Sequence, residues 1–380
     1  MRAARFLLLV LACGSALPGP LPRLSIVPGS LTISGISSGA DLAAHFAVAF
    51  SDVVAGSAIF AGEPWMCAVT RFPGEPTVSC AATGNTGPGC PGAGMPTGYA
   101  PCVGCGSANS TLVYDHCKNR GTGVPPQYLS APVLVEAAAV AAQAELIAPL
   151  AGLLRQRTYL YRGQQDVCYL DGSVNATAAF FAALASDPAS QVAFVADVPS
   201  GHCTPTIDPA VPASSCGTGA GAPPAVENCG YDGAGAALAH MYAGAVTPPA
   251  SHACGADCAA RVLPFNQTLY QQGPWAALSS VGFAYVPSSG CAASRPCRLH
   301  IALHGCGMSV WSPKMNMSVS DGQRLPAGGL NACRAPFNNA TPHLPPAARD
   351  PPAVRPARRL QPLGRGKQHG GSIPSGRGLH

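Results

Sequence analysis

Residues 31–51 read LTISGISSGADLAAHFAVAFS, and this stretch decides the fold. Leu31 to Ser34 is typical of a short strand, and Ala40 to Ser51 is nearly all apolar, which predicts a buried helix. Between them lies the only Gly-x-Ser-x-Gly pattern of the chain, from Gly35 to Gly39. Its glycines permit the tight, strained turn that lifts a serine above a sheet. Ser37 is therefore the candidate nucleophile, with an ordinary glycine-rich turn as the alternative.

Downstream, apolar runs of strand length alternate with longer stretches of helical periodicity. The predicted strands are Val53 to Phe60, Thr158 to Tyr161, Val192 to Val198, Phe283 to Val286 and Arg298 to Leu303. The predicted helices are Glu136 to Leu154, Ala176 to Leu184 and Ala234 to Tyr242. This alternation predicts an α/β fold of the α/β-hydrolase type, with a mostly parallel sheet covered by helices on both faces.

A serine hydroxyl needs a neighbouring base and an acid that orients the base, and in this fold both follow the serine in the order Asp, then His. Asp166 comes shortly after one predicted strand, and His202 follows the next. The carboxyl ends of parallel strands are where open sheets carry functional groups. Asp171, further into the loop, and Asp197, within the predicted strand, are rival acids. The sequence therefore predicts a triad of Ser37, Asp166 and His202.

The same chemistry needs backbone N–H donors for the developing oxyanion. One donor is the residue after the nucleophile, Ser38, and the second comes from a loop after a strand, often one that begins His-Gly. His304-Gly305-Cys306 fits that description, which makes the Cys306 N–H the second candidate donor. This strand precedes the nucleophile in the usual fold but follows the whole triad here. A circular permutation explains the order, since domain termini commonly lie close together.

The N-terminus and the cysteines indicate export. Residues 1–16 combine Arg2 and Arg5 with an apolar run and small residues, which predicts a secretory signal peptide. The chain has 17 Cys, and Cys13 belongs to the signal, so an even number remains for a disulfide framework in a secreted, extracellular protein. Five Asn-x-Ser/Thr sequons agree weakly with a glycoprotein; they start at Asn109, Asn175, Asn266, Asn316 and Asn339.

Several cysteines favour local pairing. The predicted pairs are Cys216–Cys229 and Cys291–Cys297, with Cys254–Cys258 as a third candidate, and the segment from Cys67 to Cys117 is predicted to be a disulfide-braced insertion. Cys102 and Cys105 have the spacing of zinc ligands, with Cys90 or Cys117 as partners. Disulfides are the preferred interpretation in an exported chain, so no metal site is predicted.

Charge and hydropathy exclude two classes of partner. The net charge is +5, but residues 344–380 carry seven Arg and Lys against one Asp, so the rest of the chain is near neutral. This argues against nucleic acid as a partner. No stretch after the signal has the apolar length of a membrane span. The predicted regions are a catalytic domain over 17–306, an atypical segment over 307–343 and a basic, disordered Pro/Gly/Arg-rich tail over 344–380. A monomer is predicted.

Six stretches between residue 24 and about 306 carry a family resemblance, and they come in the family's order. The chain resembles the extracellular poly(3-hydroxybutyrate) depolymerases whose α/β-hydrolase catalytic domain is circularly permuted. The stretches are Ser34 to Asp41, Ala58 to Gly62, Arg162 to Asp166, Gly201-His202, Asn228 to Ala236 and Leu299 to Cys306. The resemblance matches Ser37, Asp166 and His202 to the triad and Ser38 and Cys306 to the oxyanion donors. It implies hydrolysis of ester bonds in short-chain polyhydroxyalkanoates, with a polyester or oligoester as substrate and without metal or cofactor.

The C-terminal region departs from that family. After its His-Gly-Cys the family continues with a helix, a further strand and a Trp-rich segment, whereas Gly307 to His380 keeps Trp311 and predicts no strand. The predicted oxyanion strand would then lie at an exposed sheet edge. Two alternatives stay open: a general carboxylesterase or feruloyl-type esterase, and a catalytically impaired, truncated homologue.

Overall fold

The computed structural model describes residues 17–67, 70–71, 98–99, 117, 129–217, 225–252, 258, 260–271, 278–288, 290–306 and 308. The strands are β1 Leu31–Ile36, β2 Val54–Phe60, β3 Thr70–Arg71, β4 Gly98–Tyr99, β5 Arg157–Tyr161, β6 Val192–Val195, β7 Thr204–Thr206, β8 Val226–Asn228, β9 Val262–Asn266, β10 Val281–Tyr285 and β11 His300–Leu303. The α-helices are α1 Ser38–Ala49, α2 Ala131–Gln143, α3 Asp171–Leu184, α4 Pro188–Gln191 and α5 Gly233–Met241. Short 3-10 turns lie at Leu150–Gly152, Ala213–Ser215 and Gln267–Tyr270.

Over the residues that the structure describes, the central sheet has five strands in the order β11-β1-β2-β5-β6, and every neighbouring pair is parallel. The predicted α/β class with a mostly parallel sheet is therefore confirmed. Strand β1, which leads into Ser37, lies between β2 and β11, so among the described residues the last strand in sequence pairs with the first. This is the neighbourhood that the proposed circular permutation requires. Within the described part of the chain, β11 is an edge strand.

Helices cover both faces of this sheet, and alternate residues of β2 show how. Ile59 points to one face and packs in a cluster with residues of α1, α2 and α3. Ala58 and Phe60 belong to the opposite face, where the cluster includes Met241 of α5. Side chains alternate between the two faces of a strand, so a strand buried on both sides needs apolar residues at successive positions. This explains the nearly continuous apolar run that predicted β2.

Several predicted boundaries were wrong. The helix predicted over Glu136 to Leu154 is α2, which begins earlier because Pro132 is tolerated in a first helical turn. It ends before Glu145, whose φ of 57° is left-handed and incompatible with a continued helix. The helix predicted from Ala176 begins at Asp171, more than a turn earlier. The strand predicted to reach Val198 ends at Val195.

The predicted strand at Phe283 to Val286 exists, but it is not part of the central sheet. It is β10, which pairs antiparallel with β9 in a separate two-stranded sheet. A short apolar run specifies a strand but does not specify its partner, which depends on non-local contacts. Two further two-stranded sheets are formed by β3 with β4 and by β7 with β8. Among the described residues, no helix has the length and apolar character needed to cross a membrane.

Two of the predicted disulfides, Cys216–Cys229 and Cys291–Cys297, are confirmed, and Cys67–Cys117 joins the two ends of the predicted insertion. Cys90, Cys102, Cys105 and Cys254 lie outside the described residues. The same is true of the predicted signal peptide, most of the predicted insertion and the predicted tail. Cys117 is therefore a disulfide partner and not a zinc ligand. Not every described cysteine forms a disulfide, because Cys203 and Cys306 are free thiols.

Candidate active site

The candidate site lies at the edge of the sheet where the parallel strands end. Strand β1 ends at Ile36, directly before Ser37, while β5 and β6 end shortly before the segments that carry Asp166 and His202. Because the paired strands run in the same direction, their carboxyl ends meet on one edge, and the loops that follow share one surface. All three predicted triad residues are buried, with exposed fractions of 8% for Ser37, 2% for Asp166 and 3% for His202.

Ser37 occupies a strained turn between β1 and α1. Its φ of 57° lies in the left-handed region that favours glycine, and its N–H donates to the Phe60 carbonyl at 3.0 Å. A Cβ built on Gly35 would clash with the Gly39 carbonyl oxygen, so the two glycines of the motif are in direct backbone contact. Strain of this kind persists only where the surroundings enforce it, and it clusters at functional sites. The Gly35 to Gly39 stretch thus forms the tight turn that the sequence predicted.

Asp166 and His202 form a buried hydrogen-bonded pair. The His202 Nδ1 lies 2.8 Å from the Asp166 Oδ2. The other carboxylate oxygen accepts N–H bonds from Cys168 at 2.7 Å and Tyr169 at 3.0 Å, so the acid caps its own loop. The bond at Nδ1 leaves Nε2 as the atom available to a substrate or a nucleophile. This is the orientation that a base needs when an acid holds its other nitrogen.

The two rival acids lie elsewhere in the structure. Asp197 is exposed and comes after the end of β6, since that strand stops at Val195, so the prediction that it falls within the strand was wrong. Asp171 is the first residue of α3. The carboxylate bonded to His202 belongs to Asp166.

Tyr169 contacts two members of the predicted triad, His202 and Asp166. Its ring stacks on the His202 imidazole with centroids 5.4 Å apart and planes 4° apart, and its hydroxyl donates to Asp41 Oδ2 at 2.6 Å. Burial, followed by the neighbouring Asp41 carboxylate, raises the pKa of the Tyr169 phenol well above its ordinary value. The phenol therefore stays protonated and remains a donor.

A buried carboxylate supports the loop that carries His202. Glu227, in β8, is 5% exposed, and its Oε2 accepts the Gly201 N–H at 2.9 Å and the Gly217 N–H at 2.7 Å. Bonds from backbone amides to a carboxylate are charge-assisted and stronger than neutral ones. Glu227 thereby ties the residue before His202 to the loop closed by the Cys216–Cys229 disulfide.

The predicted oxyanion loop packs against the nucleophile turn. A Cβ on Gly305 would meet the Ile36 carbonyl oxygen at 2.9 Å and the Ser37 Cβ at 3.0 Å. A Cβ on Gly39 would meet the His304 carbonyl oxygen at 2.5 Å. Only glycine allows these approaches, and they bring the loop that ends at Cys306 next to Ser37. Ser38 begins α1, and first-turn amides have no acceptor within their own helix.

One histidine on β11, His300, adds side-chain hydrogen bonds to the pairing of β11 with β1. The His300 ring nitrogens lie 2.8 Å from Thr32 Oγ1 and 2.8 Å from Ser34 Oγ. Burial lowers the pKa of His300 to about 4, so the ring is neutral near pH 7. A neutral imidazole has one donor and one acceptor nitrogen, and each finds a hydroxyl partner here. The strand that presents the His304 to Cys306 loop is thereby fixed beside the nucleophile strand.

Two groups of side chains have the types and the spacing of metal ligands within the described part of the chain. They are Asp166 with Cys168 and His202, and Glu227 with Cys216 and Cys229. In the first group, the His202 Nδ1 is bonded to Asp166; in the second, the two sulfurs form a disulfide. A metal at either place would have to displace these existing bonds.

Sequence reasoning missed Tyr169, Asp41 and Glu227. Asp41 was part of a stretch that carried the family resemblance, but no role was assigned to it. The signal for Tyr169 is its position three residues after Asp166, because an aspartate often accepts N–H groups two and three residues further on. No local signal identifies Glu227, since its partners Gly201 and Gly217 are joined to it only by tertiary structure.

The fold and this site define the class as α/β-hydrolase-like, with a serine, a histidine and an aspartate gathered at the sheet edge. No family model matches the chain. Comparison with curated proteins finds similarity to the polyhydroxybutyrate depolymerase of Talaromyces funiculosus, 26% identical over 330 residues that cover 82% of this chain and 79% of that protein. The poly(3-hydroxybutyrate) depolymerase of Delftia acidovorans is 27% identical over 293 residues, which cover 76% of this chain. The chain spans about half of the Delftia protein, with 48% of its length matched.

A solved structure agrees with these relatives. The crystal structure of the PHB depolymerase from Penicillium funiculosum matches with a TM-score of 0.55 and 26% identity, over 78% of this chain and 74% of that one. The resemblance predicted from the sequence is therefore confirmed: over most of its length this chain is similar to polyhydroxybutyrate depolymerases.

Proposed function

We propose that the chain is a serine esterase that hydrolyses the ester bonds of short-chain polyhydroxyalkanoates through an acyl-enzyme. The observation that carries this proposal is the buried Asp166–His202 pair at the same sheet edge as the strained Ser37 turn. The printed names of the relatives supply the substrate class, because a triad acts on the ester carbonyl and does not identify the acid or the alcohol.

The proposed reaction has two halves. His202 Nε2 takes the Ser37 proton, the Ser37 Oγ forms a bond to the ester carbonyl carbon, and the C–O bond to the alcohol breaks as His202 returns the proton to the leaving oxygen. In the second half, a water molecule gives a proton to His202 as its oxygen attacks the acyl carbon. The bond between that carbon and the Ser37 Oγ then breaks, and His202 returns the proton to Ser37 as the carboxylic acid leaves. The Asp166 carboxylate orients the imidazole and stabilises its cationic form.

The negative charge on the carbonyl oxygen needs donors that are in place before the reaction. The backbone N–H groups of Ser38 and Cys306 are the proposed donors. The first begins α1, and the second belongs to the loop whose Gly305 lies against Ser37. Each such donor contributes about 2.7–4 kcal/mol to catalysis. The mechanism uses only protein groups, and we propose no metal or cofactor.

We propose that the enzyme is exported and that residues 17–306 are its catalytic domain. Three disulfides among the described residues support an oxidising compartment, and residues 1–16 have the pattern of a signal peptide. N-terminal sequencing of protein secreted by a eukaryotic host tests this: a mature terminus near residue 17 supports it, and retention in the cytosol contradicts it.

The test of the proposed function is Ser37→Ala. We expect the variant to fold normally, to lose about 10⁶-fold in kcat on a short p-nitrophenyl ester and to stop clearing polyhydroxybutyrate granules. Ser38→Ala is the matched control, since its proposed role uses only the backbone N–H, and it should retain near-normal activity. Full activity of Ser37→Ala would overturn the proposal.

The sequence from Gly307 onward, which predicts no strand, favours a second candidate, the catalytically impaired, truncated homologue. A fluorophosphonate probe separates the two candidates: covalent labelling at Ser37 refutes the impaired form, while a folded chain that resists labelling supports it. Activity on soluble esters without granule clearing would instead indicate a general carboxylesterase or feruloyl-type esterase.

A further inference from the structure

The His202 imidazole needs more than its bond to Asp166 to be held in a productive position. The hydrogen bond at Nδ1 fixes the distance to the Asp166 oxygen but tolerates a range of angles, so changes in χ1 and χ2 can still tilt the imidazole plane. Such a tilt would displace Nε2, the atom that takes the Ser37 proton in the proposed reaction. Misplacement of a reacting group by about 1 Å can cost about 10²-fold in rate.

The Tyr169 ring lies against the imidazole face and blocks this tilt. The two rings are nearly parallel, with planes 4° and centroids 5.4 Å apart. Aromatic pairs of this kind have a preferred geometry and are worth about 0.5–1.5 kcal/mol beyond the area that they bury. The stack therefore restrains the tilt of the His202 imidazole that the bond to Asp166 still allows.

Tyr169 can act as a restraint because it is itself anchored at several points. Its N–H donates to Asp166 Oδ1 at 3.0 Å, and its carbonyl accepts from Arg162 Nε at 3.1 Å. Its hydroxyl donates to Asp41 in the first turn of α1, whose other carboxylate oxygen accepts the Glu63 N–H at 2.8 Å. The ring is fully buried at 0% exposure. The tyrosine thus connects the helix after the nucleophile to the loop of the acid.

We propose that Tyr169 is a positioning residue that fixes the plane of the His202 imidazole and links it to Asp166 and to helix α1. This inference rests on the proposed function, because it assigns a role within the same site. A purely structural tyrosine would support the folded state and leave the rate per folded site unchanged. The two roles therefore differ in kcat per active site.

The experiment compares Tyr169→Leu, which removes the ring, with Tyr169→Phe, which keeps the ring and removes the hydroxyl. Active sites are counted by fluorophosphonate labelling run to completion, kcat and KM are measured on p-nitrophenyl butyrate, and Tm is measured for each variant. For Tyr169→Leu we expect kcat per labelled site to fall about 10²-fold while KM changes by less than about threefold. Tyr169→Phe should recover most of this loss.

Phe180→Leu is the matched control. Phe180 is also fully buried and stacks on Trp65, with centroids 6.2 Å and planes 16° apart, but in the core cluster between the helices. The Phe180→Leu variant should have a lower Tm than the wild type and an unchanged kcat per labelled site. If Tyr169→Leu does not fold, Tyr169→Met, which is long, apolar and has no ring, carries the same expectation.

Two outcomes would overturn the inference: wild-type kcat per labelled site in a folded variant without the ring, or an equal loss in Tyr169→Phe and Tyr169→Leu. Failure of the proposed function gives a different result, since Ser37→Ala would then keep its activity. An inactive Ser37→Ala together with a fully active Tyr169→Leu would reject only the role of Tyr169.

Discussion

The turn that carries Ser37 packs closely against backbone atoms, whereas the loop that carries His202 is held by side chains. On the serine side, Gly35, Gly39 and Gly305 allow main-chain segments to approach within distances that any Cβ would block. On the histidine side, Asp166 and Tyr169 contact the imidazole directly, and Glu227 holds the preceding amide. Side-chain substitutions should therefore affect the part of the site around His202. A methyl group added at one of the three glycines should instead displace the backbone around Ser37.

After Ser37→Ala, the largest expected effect is in the part of the site around His202. Asp166→Asn keeps an acceptor for the Cys168 and Tyr169 N–H groups but lacks the charge that stabilises an imidazolium and allows the wrong tautomer. We expect kcat to fall about 10⁴-fold on a p-nitrophenyl ester, with little change in Tm. The control is Asp197→Asn, which changes the exposed aspartate that was the alternative acid. This variant should retain full activity. Equal losses in the two variants would contradict the assignment of the acid.

A smaller effect is expected on the serine side from Gly305→Ala. Its new Cβ would lie 2.7 Å from the Met308 Sδ, 2.9 Å from the Ile36 carbonyl oxygen and 3.0 Å from the Ser37 Cβ, so the loop has to move. We expect kcat to fall about 10²–10³-fold, as for the loss of one oxyanion donor, with a smaller change in KM. Gly19→Ala is the control, because nothing lies within 4 Å of a Cβ there. A fully active Gly305→Ala would show that the loop does not supply a donor.

The smallest expected effect concerns the stability of the serine half and its dependence on pH. Burial lowers the pKa of His300 to about 4, below the ordinary value of 6.5, so the unfolded chain binds more protons between these values. The stabilisation is complete above about pH 6.5 and is lost as the pH falls towards 4, by at most about 3 kcal/mol.

His300→Gln checks this, because a glutamine retains a donor and an acceptor but does not titrate. The free energy of unfolding of wild type minus that of the variant should decrease from pH 7 to pH 4 in urea titrations. A difference that stays constant over this range would show that His300 does not titrate between its free and folded values.

The elements nearest the motifs could be predicted because local pattern specifies them. Strand β2 has apolar residues at successive positions, and the turn around Ser37 has its own glycine signature. The predictions that failed depended on partners far away in sequence. The apolar run at Phe283 specifies a strand, but its pairing with β9 is a non-local choice. The end of β6 at Val195 depends on where its partner β5 ends, since Tyr161 is paired with Val195.

The sequence by itself determined the α/β class, the order of the candidate residues Ser37, Asp166, His202 and Cys306, and two local disulfides. It could do so because glycine spacing, apolar periodicity and cysteine spacing act over a few residues. Tertiary structure alone decided which aspartate meets His202, how Tyr169 joins the acid to the histidine, and why Gly305 must lack a side chain. Those choices depend on atoms that are far apart in the chain and become neighbours only when the parallel strands end at one edge of the sheet.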